Sequence, residues 1–234
     1  MISRGPLQRA DPHCHTLASD GMVTADELVA AAVTAGLDLI AITDHDTMAA
    51  AWGEHAGITV VRGEEITTRW PAQTHILAWF LEKPVRGGMS IEDTVAAIHD
   101  QGGLAVIPHP FMPTYFGSIQ PSMLRRLIEK HPVDAIELMS TVPMGARRRR
   151  ALDEFYAANR ERLGAAVGAS DCHFGAHDLG VVITNYEGDF RSAVEHGATR
   201  PERIGKRSVP AGVAVRQQWR SLVELPLRRL RGQL

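Results

Sequence analysis

The sequence predicts an α/β fold in which a parallel sheet, closed or nearly closed into a barrel, is covered by helices. Three observations carry this. Short apolar runs alternate with helix-like stretches about seven times along the chain. No glycine-rich phosphate loop follows the first strand, which speaks against an open nucleotide-binding sheet. Residue types that bind metal stand at nearly every predicted strand end, and in a parallel barrel those ends converge on one face.

The first strand ends at Asp11-Pro12-His13-Cys14-His15. Thr24 caps a helix over 25–34, with Glu27 placed to reach back to the cap, and Gly36 stops it. Residues 37–43 are apolar without alternation, as a strand buried on both faces requires. A strand over 58–62 follows, and 64–68 continues it or begins another. Residues 75–81 form a further strand. Ser90 caps a helix over 91–101, Gly102-Gly103 ends it, and 104–107 returns to the sheet. Pro121 presets the first turn of a helix over 121–130. A strand over 133–139, a long helix over 146–162, and strands over 163–169 and 179–184 complete the pattern. The barrel domain is expected to span 1–212. Residues 213–234 read as a basic amphipathic segment, with Arg216, Arg220, Arg228, Arg229 and Arg231 among Trp219, Leu222, Leu225 and Leu230. Pro226 interrupts it, so packing against the barrel or a loose tail is favoured over binding an anionic surface.

Composition narrows the function. Of the 234 residues, 44% are hydrophobic and 22% charged, which excludes wholesale disorder. No apolar run approaches about 18 residues, so no membrane span is expected. Residues 1–9 lack the apolar stretch of a secretory signal. A net charge of -2 exerts no long-range pull on nucleic acid. Cys14 and Cys172 make no disulfide framework and fit a reducing, cytoplasmic compartment.

The strand ends carry the chemistry. His13 and His15 follow the first strand, with Asp20 in the next loop. Asp44-His45-Asp46 follows the second, and Gly63-Glu64-Glu65 the third. His75 opens a strand, while Pro108-His109-Pro110, Glu137 and Asp171-Cys172-His173 stand at later ends. His13 and His15 are two apart, so both point to one face of an extended strand, and Asp171 and His173 repeat this. The enclosed Cys14 and Cys172 turn to the other face and read as packing residues. A lone strand-end histidine is more often structural than catalytic. Buried together, so many histidines and carboxylates need a cation to satisfy them. Imidazole and carboxylate without thiolate suit Mn, Fe or Zn, and roughly nine candidate ligands imply two or three ions.

The motifs then match a known pattern. Asp11-Pro12-His13-Cys14-His15-Thr16 with Ser19-Asp20-Gly21 stands where that pattern has Asp-Leu-His-x-His-Thr and Ser-Asp-Gly. Thr43-Asp44-His45-Asp46, Gly63-Glu64-Glu65, His75, Pro108-His109-Pro110 and Gly168-Ala169-Ser170-Asp171-Cys172-His173 follow in order. In these the chain resembles the PHP (polymerase and histidinol phosphatase) family of metal-dependent phosphoesterases. The resemblance implies a distorted seven-stranded (β/α)7 barrel and a trinuclear metal cluster. It implies as ligands His13, His15, Asp20, His45, Glu65, His75, His109, Asp171 and His173. The family's carboxylate is third in Gly-x-Glu, which selects Glu65 over Glu64. Two departures stand out. Pro12 replaces leucine and removes a backbone donor. His75 and His109 are only 34 residues apart, too close for the helical insertion of the branch that cleaves RNA and nucleoside bisphosphates. That branch's substrate is therefore not implied.

The expected reaction is hydrolysis of a phosphate ester, a small phosphomonoester or nucleotide, by water that two or three divalent ions (Mn, Fe or Zn) activate. His177 is a candidate acid for the leaving oxygen, against a reading as a solvated loop residue. Arg69, Arg147 and Arg148 are candidate phosphate-binding residues, against readings as solvated arginines. Asp46 is a candidate partner orienting His45, or a helix cap. His55, His99, His131 and His196 read as ordinary surface or packing residues. One rival is a metal-dependent C–N hydrolase of the amidohydrolase type, which commonly bridges its metals with a modified strand-end lysine. Lys83, Lys130 and Lys206, the only lysines, all lie outside predicted strands. Another is a metal-binding module without activity, which the filled ligand positions oppose. Nucleic acid ranks below a small phosphate ester as substrate.

Overall fold

A computed structural model describes residues 6–51, 53, 57–112, 117–225 and 227. His55, Pro226, Arg228, Arg229, Leu230 and Arg231 lie outside the described residues.

Among the described residues, nine strands form one curved sheet: β1 (Leu7–Cys14), β2 (Leu39–Ile42), β3 (Thr59–Thr67), β4 (His75–Trp79), β5 (Leu104–Ile107), β6 (Ala135–Met139), β7 (Ala165–Gly168), β8 (Val182–Glu187) and β9 (Arg200–Arg203). Their order is β7-β6-β5-β4-β3-β2-β1-β8-β9. The expected count of seven is thus corrected to nine, and the expected parallel sheet to a mixed one. β1, β2 and β3 pair parallel, as do β5, β6 and β7. β4 is antiparallel to both of its neighbours, and β8 is antiparallel to β1 and β9. The reversal at β4 follows from the chain between β3 and β4, which is too short for the crossover a parallel pair needs. β9 escaped sequence reading because Arg200-Pro201-Glu202-Arg203 is charged, largely exposed and carries a proline, all features of an edge strand.

Among the described residues, β7 meets β8 and the approach to β9 through threonines rather than a backbone ladder. Thr184 Oγ1 donates to Gly168 O (2.7 Å) and accepts from Gly168 N (2.9 Å). Thr199 Oγ1 donates to Ala166 O (2.7 Å). The result is a nearly closed barrel.

Helices α1 (Ala25–Thr34), α2 (Ile91–His99), α3 (Pro121–Lys130), α4 (Ala146–Leu163), α5 (Phe190–Glu195) and α6 (Ala211–Trp219) accompany the sheet. The predicted cap of α1 is present: Thr24 Oγ1 accepts from Glu27 N and Glu27 accepts from Thr24 N. Alternation sorts the strand side chains into layers. Leu39, Ala41, Val61, Leu77, Trp79 and Val106 pack in one cluster with Phe190 of α5. Ile40 and Ile42 face the other way, onto α1. Ile66, Ile76 and Ile107 pack outward with residues of α2, α3 and α4.

One break in that alternation positions the site. Ala10 belongs to the inner cluster, but Cys14, four residues on, packs outside with α1. An unbroken strand would put both on one face. The pairing of β1 with β2 shifts register between Asp11 and Cys14, around Pro12, where a missing N–H costs no ladder bond. The shift turns His13 and His15 into the barrel. Trp79 Nε1 donates to Pro12 O (2.8 Å) and fixes the irregularity from within.

Candidate metal centre

Most side chains of the centre are delivered by a strand end or the loop after it; Glu65 lies within β3 and His75 opens β4. His13 and His15 leave β1 inward. Glu65 shares the inner phase of β3 with Val61, while Glu64 points outward and accepts from Val85 N (2.7 Å). His75 opens β4, and Gly117 packs against its ring so closely that a Cβ there would meet ring atoms at 2.5 Å. His109 follows β5 at φ 26° and Asp171 follows β7 at φ 53°. Non-glycine residues hold such angles at a cost of roughly 1–3 kcal/mol each, and they gather at functional sites.

The nine side chains converge. Glu65 Oε1 lies 2.8 Å from His75 Nδ1 and 3.0 Å from His109 Nε2. Glu65 Oε2 lies 3.1 Å from His13 Nε2, 3.2 Å from His15 Nε2 and 3.4 Å from His45 Nδ1. Asp171 Oδ1 stands 3.4 Å from both His13 Nε2 and His15 Nε2. Asp20 Oδ1 lies 3.1 Å from His173 Nε2 and 3.8 Å from His15 Nδ1 and His45 Nε2. Three groups have donor atoms within 4.8 Å of one another: His15, Asp20, His45 and His173; His13, His15, Glu65 and Asp171; and His45, Glu65 and His75.

These contacts fit cations better than hydrogen bonds. A single carboxylate faces the ring nitrogens of five imidazoles, more than its lone pairs serve well. His13 Nε2 and His15 Nε2 face each other at 3.0 Å. Buried His15 Nδ1 and Asp20 Oδ1 have no hydrogen-bond partner among the described residues. The cluster could therefore hold several metal ions. Both cysteines are buried on the other face, and burial pushes the Cys14 thiol up to about 11, so they stay out of the donor set as expected.

The electrostatics agree. Burial raises the Glu65 carboxyl, but His75, His45 and His13 outweigh it and hold the group well below the usual range. Asp20 is likewise raised by burial and overruled by His173 and His45. Burial pulls His173 down, yet Asp20 and Asp171 push it up to about 10. Burial dominates at His45 and lowers it to about 3.

A second set of carboxylates holds the first in place. Glu137 Oε1 accepts from His13 Nδ1 (2.8 Å), leaving Nε2 for the cluster, and Oε2 accepts from His109 N (2.8 Å). Asp44 accepts from Thr16 N (2.8 Å), Thr16 Oγ1 (2.7 Å) and Ser19 Oγ (2.5 Å), fixing the loop that carries Asp20. Gly21 in that loop runs so close to His15 that a Cβ would meet its carbonyl at 2.4 Å. Asp178 accepts from His173 N (3.1 Å) and Phe174 N (2.9 Å).

Above the cluster opens a cavity of about 870 Å³, with Asp20, His45, His75, Asp171 and His173 in its wall. Asp46 also lines it, and its carboxylate accepts from Thr67 N (2.8 Å), tying the His45 loop to the end of β3. The arginines expected at the substrate do not line the cavity. Arg69 and Arg147 are exposed, and Arg148 donates to Phe111 O (3.4 Å). His177 is exposed in a 3-10 turn and is also not in the cavity wall. Arg207 lines the cavity instead, its guanidinium 4.6 Å from the Phe174 ring and 3.7 Å from Asp178 Oδ2. Gln217 and Leu225 reach it from the C-terminal segment. Sequence reading missed Glu137 as a partner, although its inward phase with Ala135 was available. Arg207 and Gln217 carried no signal, since they lie beyond every motif.

The family model described as PHP domain matches residues 11–177. The chain belongs to the PHP domain family. Within it, the chain is 32% identical over 121 residues to the uncharacterized protein MJ1587 of Methanocaldococcus jannaschii, covering 45% of this chain and 69% of that protein. It is 35% identical over 82 residues to a 5'-3' exoribonuclease of Haemophilus influenzae. That match covers 32% of this chain and 30% of the exoribonuclease, so the chain spans under a third of that relative. Among solved structures, it resembles a two-domain protein of Bacteroides vulgatus described as containing a predicted PHP-like metal-dependent phosphoesterase. The TM-score is 0.65 at 20% identity, over 85% of this chain and 65% of that one, which supports the PHP fold. No helix among the described residues is long and apolar enough to cross a membrane.

Proposed function

We propose that this PHP chain is a hydrolase of phosphate esters, acting on a small phosphomonoester or nucleotide with about two or three Mn, Fe or Zn ions. The observation that carries the reading is Glu65, a buried carboxylate within 3.4 Å of five imidazoles from three strand ends and one strand start. His15, Asp20, His45 and His173 would hold one ion. His13, Glu65 and Asp171 would hold a second, and Glu65 with His75 and His109 a third. When bound, the ions supply Lewis acidity, which lowers the pKa of water and offsets charge on phosphoryl oxygens.

The chain's own residues do the rest. Glu137 keeps His13 in the tautomer that offers Nε2 to the cluster. Arg207, steadied by Phe174 and Asp178, presents a guanidinium fork to a non-bridging phosphate oxygen. Gln218 and Ser221 offer neutral polar contacts to the alcohol part. A short RNA end is the second reading, favoured by the exoribonuclease relative.

The test is phosphate release from small monoesters and nucleotides, and mononucleotide release from short RNA, after loading metal-free protein with Mn, Fe or Zn. Release from the monoesters or nucleotides, with about two to three equivalents bound, is the expected result. Stoichiometric metal without release from any ester would move the assignment to C–N bonds, and no tightly held metal would remove the site. Arg207→Ala is expected to raise KM at least about tenfold with kcat within about threefold. An unchanged KM would exclude Arg207 from substrate binding.

A further inference from the structure

We propose that the C-terminal segment is part of the metal centre, with Gln217 and Arg220 as positioning residues for Asp20. The inference rests on the reading of Asp20 as a metal ligand. The family match ends at residue 177, so this contribution lies outside the matched region.

Helix α6 runs into a π turn over Arg220–Glu224, in which Leu225 N donates to Arg220 O. Such widened turns gather at functional sites. The helix does not pack as its composition would direct. Val215, Trp219 and Leu222 stay 69%, 62% and 71% exposed, while the polar Gln217 is buried to 5%. Burying a tryptophan would return more than burying an amide, so specific polar bonds set the orientation.

Those bonds all reach the Asp20 loop. Gln217 Nε2 donates to Asp20 Oδ2 (3.2 Å) and lies 3.5 Å from Asp20 O. Gln217 Oε1 accepts from Gln218 Nε2 (3.1 Å), which fixes the end of the amide that faces Asp20. Asp20 Oδ1 is left to face His15, His45 and His173. Arg220 Nε and Nη2 donate to Ser19 O (3.1 and 2.9 Å), and Nη2 also to Leu17 O (2.8 Å). Asp44 holds the same loop from the barrel side. Asp20 is thus clamped between a strand-end carboxylate and a helix some 200 residues away in sequence. A neutral amide suits the task. It orients the carboxylate without neutralising it, where an arginine in its place would compete with a cation.

The test uses the full-length protein and Mn or Zn in competition with a chromogenic chelator. Gln217→Ala and Arg220→Ala are expected to weaken one metal equivalent by about 10–100-fold and to leave the others unchanged. Arg220→Lys should recover part of the loss. The Tm of the metal-free variants should stay within a few degrees of wild type, and Val215→Ser, on the outward face, should bind as wild type. Wild-type affinity in either folded alanine variant overturns the inference, as does an equal loss in Val215→Ser. A wild-type protein that binds no metal overturns the underlying reading instead. Should Gln217→Ala not fold, Arg220→Ala decides alone.

Discussion

Glu65→Gln is expected to lose metal and turnover together, with kcat/KM falling by at least ~10³-fold, beyond the 10–100-fold typical of an outer partner. Glutamine keeps the volume and one acceptor. It removes the charge that five surrounding imidazoles share and replaces one oxygen by a donor that would confront ring nitrogens. Glu65 also belongs to two of the three groups of candidate ligands, so one substitution weakens two of them. Elemental analysis of the purified variant beside phosphate release at saturating metal checks both halves. Retained metal with wild-type turnover would remove Glu65 from the centre.

Glu64→Gln, one residue away, should act on stability and with a pH dependence of its own. Glu64 is fully buried on the outer face of β3; burial, with Asp46 adding to it, pushes its carboxyl up to about 7 from 4.5. The sign follows from which state holds the proton more tightly. Below pH 4.5 the group is protonated folded or unfolded and costs nothing. As pH rises to about 7 the unfolded chain ionises freely while the folded one resists, so stability falls and then levels off. The full difference is on the order of 3 kcal/mol. Glutamine still accepts from Val85 N and never ionises. The variant should therefore match wild type near pH 4 and exceed it by up to about 3 kcal/mol at pH 8.5, roughly 6–12 °C in Tm. Urea unfolding of both metal-free proteins at the two pH values measures this. A difference that does not change with pH would show that Glu64 does not carry the penalty.

The contrast between these neighbours shows what the sequence made legible. Strand alternation separated Glu64 from Glu65 and the cysteines from their flanking histidines, because a buried strand leaves its side chains no third direction. The floor of the site could be read because its residues are chemically unusual for a core. Direction of pairing could not: the reversal at β4 depends on how short the β3–β4 connection is, and β9 has no apolar pattern at all. The substrate side was less legible for a related reason. Arg207 and Gln217 reach the cavity only through tertiary packing. Pro12 looked like a lost bond and is the point where the inward phase of His13 and His15 is set.

The carboxylate of Asp11 carries a consequence for how the molecule comes into being. Its two oxygens accept from Ser170 N (2.9 Å) and Gly180 N (2.7 Å), partners 159 and 169 residues further along. The earliest strand is thus tied to segments made much later, beside the end that bears Asp171 and His173. A chain emerging from the ribosome holds its histidines from the first strand onward but cannot assemble the cluster until residue 180 is free to return. Contacts of such separation slow folding. During synthesis the nascent protein therefore exposes a set of imidazoles and carboxylates with no fixed geometry, and a prematurely terminated copy lacks the site altogether rather than carrying a weakened one.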